Sequence, residues 1–396
     1  MEFGIPGLPT SPIAREAEAR ALESPGVSNV YAPFDGIPEL KAEASRFVKL
    51  FMDLDVPPAC IVPSVGAMEG CFAGLALAGR LKERARTVIF LQPGFPVNGM
   101  QARLLGLDVA SIDFYDHRGE TLIRAVEDRV RKGDVCAILW SSPNNPSWIV
   151  LKEDELRGLG RICDEHGVLA LEDLAYFGMD LRQDYLKPGE PPYQPTVMRY
   201  TSHGICIISS SKMFSYAGQR IALCVISPEL ATRNEPALVS SLGTPSVAHA
   251  LTHGVLYPIC ASVPQSPQWG LTALLEAANR GDTGLWKPAH EYARRAGIMK
   301  KHFLDAGFRL VYDNDLGEPL ADGFYFTIAY PGFERGGDLI EALLPYGVSA
   351  ITLEAAGSCR LEGLRACVSM VADDQFETLA ARLRKFAEDH PAGASR

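Results

Sequence analysis

Helix-like and strand-like patterns alternate along most of this chain. Apolar residues recur every three or four positions over 40–52, 67–84, 122–132 and 151–166, the spacing of amphipathic helices. Between and beyond these stretches lie short runs at 88–91, 109–112, 135–140, 168–171, 205–208 and 221–226, rich in apolar residues and without strict polar alternation. Such runs suit strands buried on both faces of a sheet. Their alternation with helices predicts an α/β fold with a mostly parallel sheet and right-handed crossovers. The last two runs are too close in sequence for another long helix, so an antiparallel pairing is expected there.

The pattern breaks in three places. The first 35 residues are rich in Pro and Gly around one helical stretch at 14–22, and read as an arm lying on another surface. A Pro-rich loop, KPGEPPYQP at 187–195, is expected on the surface near the mouth of the site. After about residue 275 come a long polar helix (286–303), strand-like segments such as 323–330, and a final amphipathic helix (374–388). A chain of 396 residues suits two domains. The division expected is an arm with part of the small domain at 1–45, a large α/β domain at 46–275, and a small α+β domain at 276–396.

Composition narrows the function classes. A hydrophobic fraction of 47% and a charged fraction of 22% are those of a soluble globular protein. A net charge of −10 disfavours non-specific nucleic-acid binding, while leaving room for a local phosphate pocket. The nine cysteines are scattered singly with no C-x-x-C pair, which reads as reduced thiols packed as small hydrophobes. No basic start followed by an apolar run opens the sequence, and no stretch approaches the roughly 20 apolar residues of a membrane span. A soluble, cytoplasmic protein is expected.

Open α/β sheets bind ligands beyond the carboxyl ends of their strands, so the residues after each apolar run carry the candidate chemistry. These are Phe95 in Q-P-G-F-P, Asn145 in S-S-P-N-N-P, Asp173 and Tyr176 in E-D-L-A-Y, and Ser209, Ser211 and Lys212 in S-S-S-K. Arg220 follows eight residues after Lys212, and Gly66 opens the helical stretch that continues through Ala67 and Met68. One ligand accounts for the set. It has an aldehyde for a lysine, a phosphate for a Gly-started helix with Ser and Arg, and an aromatic ring for Phe95 to cover. Its ring nitrogen faces a carboxylate, and its ring hydroxyl faces Asn and Tyr. That ligand is pyridoxal 5′-phosphate (PLP).

Seven segments in order, Y-A-P-F-D-G-I-P-E-L (31–40), G-A-M-E-G (66–70), P-G-F-P (93–96), S-P-N-N-P-S (142–147), E-D-L-A-Y (172–176), S-S-S-K with G-Q-R (209–220) and L-R-A-C-V-S (364–369), carry a family resemblance. The chain resembles the class I/II aminotransferases, fold-type I PLP enzymes, over nearly its whole length. The resemblance implies that Lys212 binds PLP as a Schiff base and later shuttles the Cα proton. It implies Asp173 on the pyridine nitrogen, Tyr176 and Asn145 on O3′, and Phe95 stacked on the ring. Phosphate would be held by Gly66, Ala67, Met68, Ser209, Ser211 and Arg220. Met68 stands where the family often has a hydroxyl residue, so one phosphate contact falls to the backbone or to another group. Arg365 would grip the substrate α-carboxylate, with Arg360 as a rival, and Tyr31 would reach the neighbour's phosphate in a homodimer.

Blander readings compete with some of these assignments. Asp173 also suits a helix N-cap, and Phe95 suits ordinary core packing. His249 and His253 are spaced i, i+4 like zinc ligands, but Ala250 stands where a metalloprotease would need Glu, and no metal is expected. The leading expectation is amino transfer from an α-amino acid, with an amino-acid-like small molecule as partner and neither nucleic acid nor membrane. The alternative is elimination, replacement or cyclisation, for example on S-adenosylmethionine. That alternative rests on the Pro-rich loop, on Trp148, a candidate substrate contact where the family usually has Gly, and on the lack of any mark of an acidic substrate. Beyond Arg365, no second basic residue marks an acidic substrate.

Overall fold

The computed structural model describes residues 1–82 and 84–391. Seven strands form its central sheet: β1 (Ile61–Ser64), β2 (Thr87–Gln92), β3 (Asp108–Asp113), β4 (Val135–Ser141), β5 (Leu169–Leu174), β6 (Gly204–Ser209) and β7 (Ala222–Ile226). Their spatial order is β1-β7-β6-β5-β4-β2-β3. The pairs from β3 through β6 are parallel, whereas β7 runs antiparallel to β6 and to β1. The antiparallel turn expected near 205–226 is therefore the β6–β7 connection, which has room only for Ser210–Met213 and Ala217–Gln219 as short helical turns.

Burial explains why these strands show no strict alternation. Every residue of β4, β5, β6 and β7 is buried, because helices pack on both faces of the sheet. The edge strand β3 is exposed or half-buried throughout. One face packs against Pro38–Met52, Gly66–Leu81 and Gln265–Asn279, and the other against Glu120–Val130 and Glu153–His166. The edge strand β1 was not legible as a strand. Its four residues include Pro63, which only an edge position tolerates readily.

A second, antiparallel sheet is built from β8 (Arg309–Leu310), β11 (Tyr325–Ala329), β12 (Ile351–Thr352) and β13 (Leu364–Cys367), in the order β12-β13-β11-β8. A separate hairpin pairs β9 (Asn314–Asp315) with β10 (Glu318–Pro319). The helices Lys287–Asp305 and Phe376–Asp389 share a hydrophobic core with this sheet. Asp315 at the hairpin is fully buried, and pairs with Arg118 at 2.6 Å and Arg182 at 2.7 Å. Arg118 also holds the buried Glu155. A network with each charge partnered fixes relative position well, since breaking it would strand a buried charge.

The chain's first residues do not float free. Met1 O accepts from Cys367 N at 2.9 Å and Ile5 O accepts from Ser369 Oγ, which lays the segment along β13. Helix Pro12–Leu22 then packs on Gln265–Asn279, as expected of an arm. The Pro-rich loop corrects one expectation. Gly189 N donates to Leu50 O and Gln194 N to Phe51 O, which ties the loop to the end of Pro38–Met52, and none of its residues lines the cleft described next. Among the described residues, no helix is long and apolar enough to cross a membrane.

Candidate active site

The carboxyl ends of β2, β4, β5 and β6 open onto one cleft of about 470 Å³, whose far wall comes from the antiparallel sheet and the first residues of the chain. Its lining includes Ala67, Met68, Phe95, Asn145, Asp173, Tyr176, Ser209, Ser211, Lys212, Arg220 and Arg365.

One end is a cradle. Gly66 begins the 16-residue helix Gly66–Leu81 with φ +70°, a left-handed conformation that glycine adopts without strain. The Arg220 guanidinium lies directly over it, and a Cβ on Gly66 would stand 2.4 Å from Arg220 Nη2. Ser209 caps the short turn Ser210–Met213 by accepting from Ser211 N at 3.2 Å. Serine hydroxyls, a guanidinium and the N-terminus of a long helix thus face one point, an arrangement suited to a dianion.

The middle of the cleft holds two opposed titratable groups. Alternation along β5 sends Glu172 into the core and Asp173 toward the cleft. Asp173 is buried and its Oδ1 has no hydrogen-bond partner within the chain. Burial pushes its carboxyl up to about 6, partly offset by the Lys212 ammonium. Burial likewise lowers the Lys212 amine, with Asp173 opposing that shift. Lys212 Nζ lies 5.7 Å from the centroid of the Tyr176 ring.

At the other end, Arg365 is buried and fully oriented. Its Nη1 donates to Asn145 Oδ1 at 2.9 Å and its Nη2 to Glu2 O at 2.6 Å, while Nε is unpartnered. The guanidinium sits over the Tyr325 ring, 4.3 Å from its centroid. The Tyr176 hydroxyl donates to the Tyr325 hydroxyl at 2.9 Å, and burial pushes Tyr325 up to about 12. Gly4 passes so close that a Cβ there would meet the Tyr325 hydroxyl at 1.8 Å.

Several candidates lie elsewhere. Arg360, the rival arginine, pairs with Asp116 and stacks on Tyr115 outside the cleft. Trp148 requires a correction. Its φ is +66°, which accounts for glycine as the usual residue, and its indole points away from the lining into the core. There it packs edge-on against Tyr176 and Tyr325, with centroids 5.1 and 6.0 Å away, and against Gly323. It backs the wall and does not face the cavity. Tyr31 is 78% exposed and outside the lining of its own chain. His249 and His253 stack on each other at 4.3 Å, beside Phe34. Sequence reading missed Tyr325, Asn98, Ser141, Ile351, Ala355 and the segment Glu2–Pro6, all of which line the cleft.

A lysine-bearing cleft beyond the ends of a mostly parallel seven-stranded sheet, closed by a smaller antiparallel sheet, defines the fold-type I architecture of PLP enzymes. The chain belongs to the class I and II aminotransferase family, whose profile matches residues 4–257 and whose members are PLP-dependent transferases. It is 27% identical over 228 residues to a probable aspartate aminotransferase of Methanocaldococcus jannaschii, covering 58% of this chain and 56% of that protein. It is 26% identical to the 4-dedimethylamino-4-oxo-anhydrotetracycline transaminase OxyQ of Streptomyces rimosus, over 78% of this chain and 74% of that one. The match to the first of these relatives spans little more than half of its length. Among solved structures, a tetra mutant of Thermus thermophilus aspartate aminotransferase superposes with TM-score 0.77 at 20% identity, covering 97% of this chain and 95% of the other. YbdL of Escherichia coli, with a methionine aminotransferase function, gives 0.78 at 16% identity, covering 97% and 93%.

The residues present fit PLP. The unpartnered Asp173 oxygen meets the need of a protonated ring nitrogen. The Gly66–Arg220 gap is space that any side chain on residue 66 would fill, and the lowered Lys212 amine suits a carbonyl.

Proposed function

We propose that the protein transfers the amino group of an α-amino acid to a keto acid, with PLP held on Lys212. The observation that carries this reading is the placement of four charged side chains at three points along one cleft. Arg220 over Gly66 stands at one end, Lys212 and Asp173 in the middle, and Arg365 at the other. When bound, PLP supplies the aldehyde that takes the amine and the cationic ring that accepts the electron pair released at the substrate Cα.

The protein's own residues do the rest. Arg220, Ser209, Ser211 and the backbone of Gly66, Ala67 and Met68 bind phosphate. Phe95 covers the ring, and Asp173 keeps the proton on the ring nitrogen by holding a negative charge beside it. Tyr176 and Asn145 would hydrogen-bond O3′ of the bound cofactor, and Asn145 also orients Arg365. Arg365 receives the α-carboxylate; its planar fork provides two parallel donors that a lysine lacks. Lys212, with its amine lowered by burial, moves the proton from Cα.

We read residues 46–275 as the PLP-binding domain and 276–396 as the small domain; within the arm at 1–45, Met1 and Leu8 pack on the core of the small domain, whereas Ala14, Leu40 and Ala44 join that of the large one. We place the protein in the cytoplasm as a homodimer in which the exposed Tyr31 of each copy completes its neighbour's phosphate site. The elimination or cyclisation alternative loses two of its three motives, since neither Trp148 nor the loop at 187–195 lines the cleft. The test is to mix holoenzyme with an amino donor and no acceptor. Stoichiometric keto acid and pyridoxamine phosphate are expected. Release of methylthioadenosine from S-adenosylmethionine, with the cofactor unchanged, would overturn amino transfer.

A further inference from the structure

The antiparallel sheet that carries Arg365 is seated on the rest of the chain by one carboxylate in a socket. Arg118 grips both oxygens of Glu155 through Nε and Nη2, at 2.9 Å each, and Arg182 grips both oxygens of Asp180, at 2.8 and 2.9 Å. Each guanidinium thus has an acid of its own, and that fork fixes where its remaining N–H groups face. Both face one point, and Asp315 fills it, with Oδ1 2.6 Å from Arg118 Nη1 and Oδ2 2.7 Å from Arg182 Nη2. The dependence is one-sided. The arginines keep Glu155 and Asp180 without Asp315, whereas Asp315 is fully buried and its charge is met by these two and by Lys152 Nζ at 3.5 Å. That burial also leaves no surface on Asp315 for a neighbouring copy to touch, so a single chain holds the whole device.

The hairpin presents Asp315 firmly. β9 and β10 are joined by Leu316 and Gly317, at φ +58° and +88°, and Gly317 N donates to Asn314 Oδ1 at 2.9 Å. A left-handed leucine is strained, and such strain persists where the surrounding contacts over-determine it. Both sides of the joint lead to the carboxylate end of the cleft. On one side, Val311 N and Tyr312 N donate to Thr327 O and Oγ1, and Thr327 stands opposite Arg365 across β11 and β13. On the other, Asp180 and Arg182 lie just beyond Tyr176 in sequence, and Arg118 Nη2 donates to Val150 O, just beyond Asn145. The Arg365–Asn145 and Tyr176–Tyr325 bonds then span the two sides at the site itself. We propose that Asp315 is a positioning residue for the substrate: seated between Arg118 and Arg182, it sets where Arg365 stands relative to the cofactor, and so the grip on the α-carboxylate. The proposal rests on the amino-transfer reading and adds to it a residue outside the cleft lining.

The experiment uses full-length holoenzyme and two probes of one shape, 2-methylalanine and tert-butylamine. They differ by a carboxylate against a methyl group, and neither has a Cα proton to lose. Binding is read from the cofactor's visible absorption. The unaltered protein is expected to hold 2-methylalanine roughly tenfold or more tightly than tert-butylamine. Asp315→Asn, which keeps the shape and removes the charge, is expected to cut that ratio about fivefold, since a misplaced guanidinium loses its second bond. Affinities for tert-butylamine and for PLP should stay within about twofold of their starting values, because their contacts lie away from Arg365. A residue that only stabilises the fold would move all three affinities together or none. Should Asp315→Asn not fold, Arg182→Lys makes the same test, because an ammonium cannot fork onto Asp180 and also hold Asp315, and a fall of about threefold is expected. An unchanged ratio in the folded variant overturns the proposal, and so does a matching loss of PLP affinity. If 2-methylalanine binds no tighter than tert-butylamine in the unaltered protein, the carboxylate role of Arg365 fails first and takes this inference with it.

Discussion

The two ends of the cleft are built in different ways. At the phosphate end, Ser209, Ser211, Lys212 and Arg220 fall within twelve residues, and only the Gly66 turn comes from elsewhere in the sequence. At the carboxylate end, Arg365 is held by Asn145, Tyr325 and Glu2, three groups from three other parts of the chain. One end is set by a single strand–turn unit; the other exists only once both sheets and the chain's first residues have docked. The first should therefore tolerate disturbance of the docking surface, and the second should not.

The largest effect expected along this divide is on stability. Trp148→Gly removes a buried indole from behind Tyr176 and Tyr325, at a cost of about 3 kcal/mol after the gain from relieving its left-handed backbone. Thermal unfolding should show the loss, while the preference among substrates stays as it was. Arg220→Ala comes next, and should weaken PLP binding roughly 100-fold, as loss of a charge-assisted contact does. Arg365→Lys should leave PLP binding intact and weaken the amino acid alone, by about tenfold. Equilibrium titration of each variant with PLP and with donor separates the two ends.

The middle of the cleft is tested by pH. The Asp173 carboxyl goes from 3.8 unfolded to about 6 in the folded chain. Its burial therefore costs nothing below about pH 4, where it is protonated in both states, and costs most above about pH 6, where it is ionised in both. Asp173→Asn should stabilise the cofactor-free protein by roughly 3 kcal/mol at neutral pH and by nothing at acid pH. Melting curves from pH 4 to 8 check the sign. The same variant should lose most turnover in the holoenzyme. Smallest of all, Tyr325→Phe keeps the ring under Arg365 and removes the hydroxyl bonded to Tyr176. Donor affinity should change less than about threefold, while the pH at which the cofactor's visible absorption changes should move, because Tyr176 loses a partner worth about 1 kcal/mol.

This contrast also explains what the sequence could reveal. The parallel sheet, its antiparallel β6–β7 turn and the phosphate end were legible because each rests on local pattern: a buried run, then small or polar residues past its end. Tyr325 carried no such signal. It faces the cleft because β11 pairs with β13 in a register that sets Thr327 opposite Arg365 and so places Tyr325 on the same face as that arginine. Nothing near residue 325 specifies that partner. The role of Glu2–Pro6 was hidden for the same reason, since it depends on bonds to Arg365, Cys367 and Ser369. Trp148 stood out as a departure from glycine, but where its indole points follows from the backbone dihedral and the bare Gly323 beside it.

The central claim is that PLP is held on Lys212, and one measurement tests it directly. The holoenzyme is reduced with borohydride, digested, and its peptides sequenced by mass spectrometry. A single pyridoxyl adduct on Lys212 is predicted, together with loss of the visible absorption in Lys212→Ala. An adduct on any other lysine, or an undiminished visible band in that variant, would contradict the account.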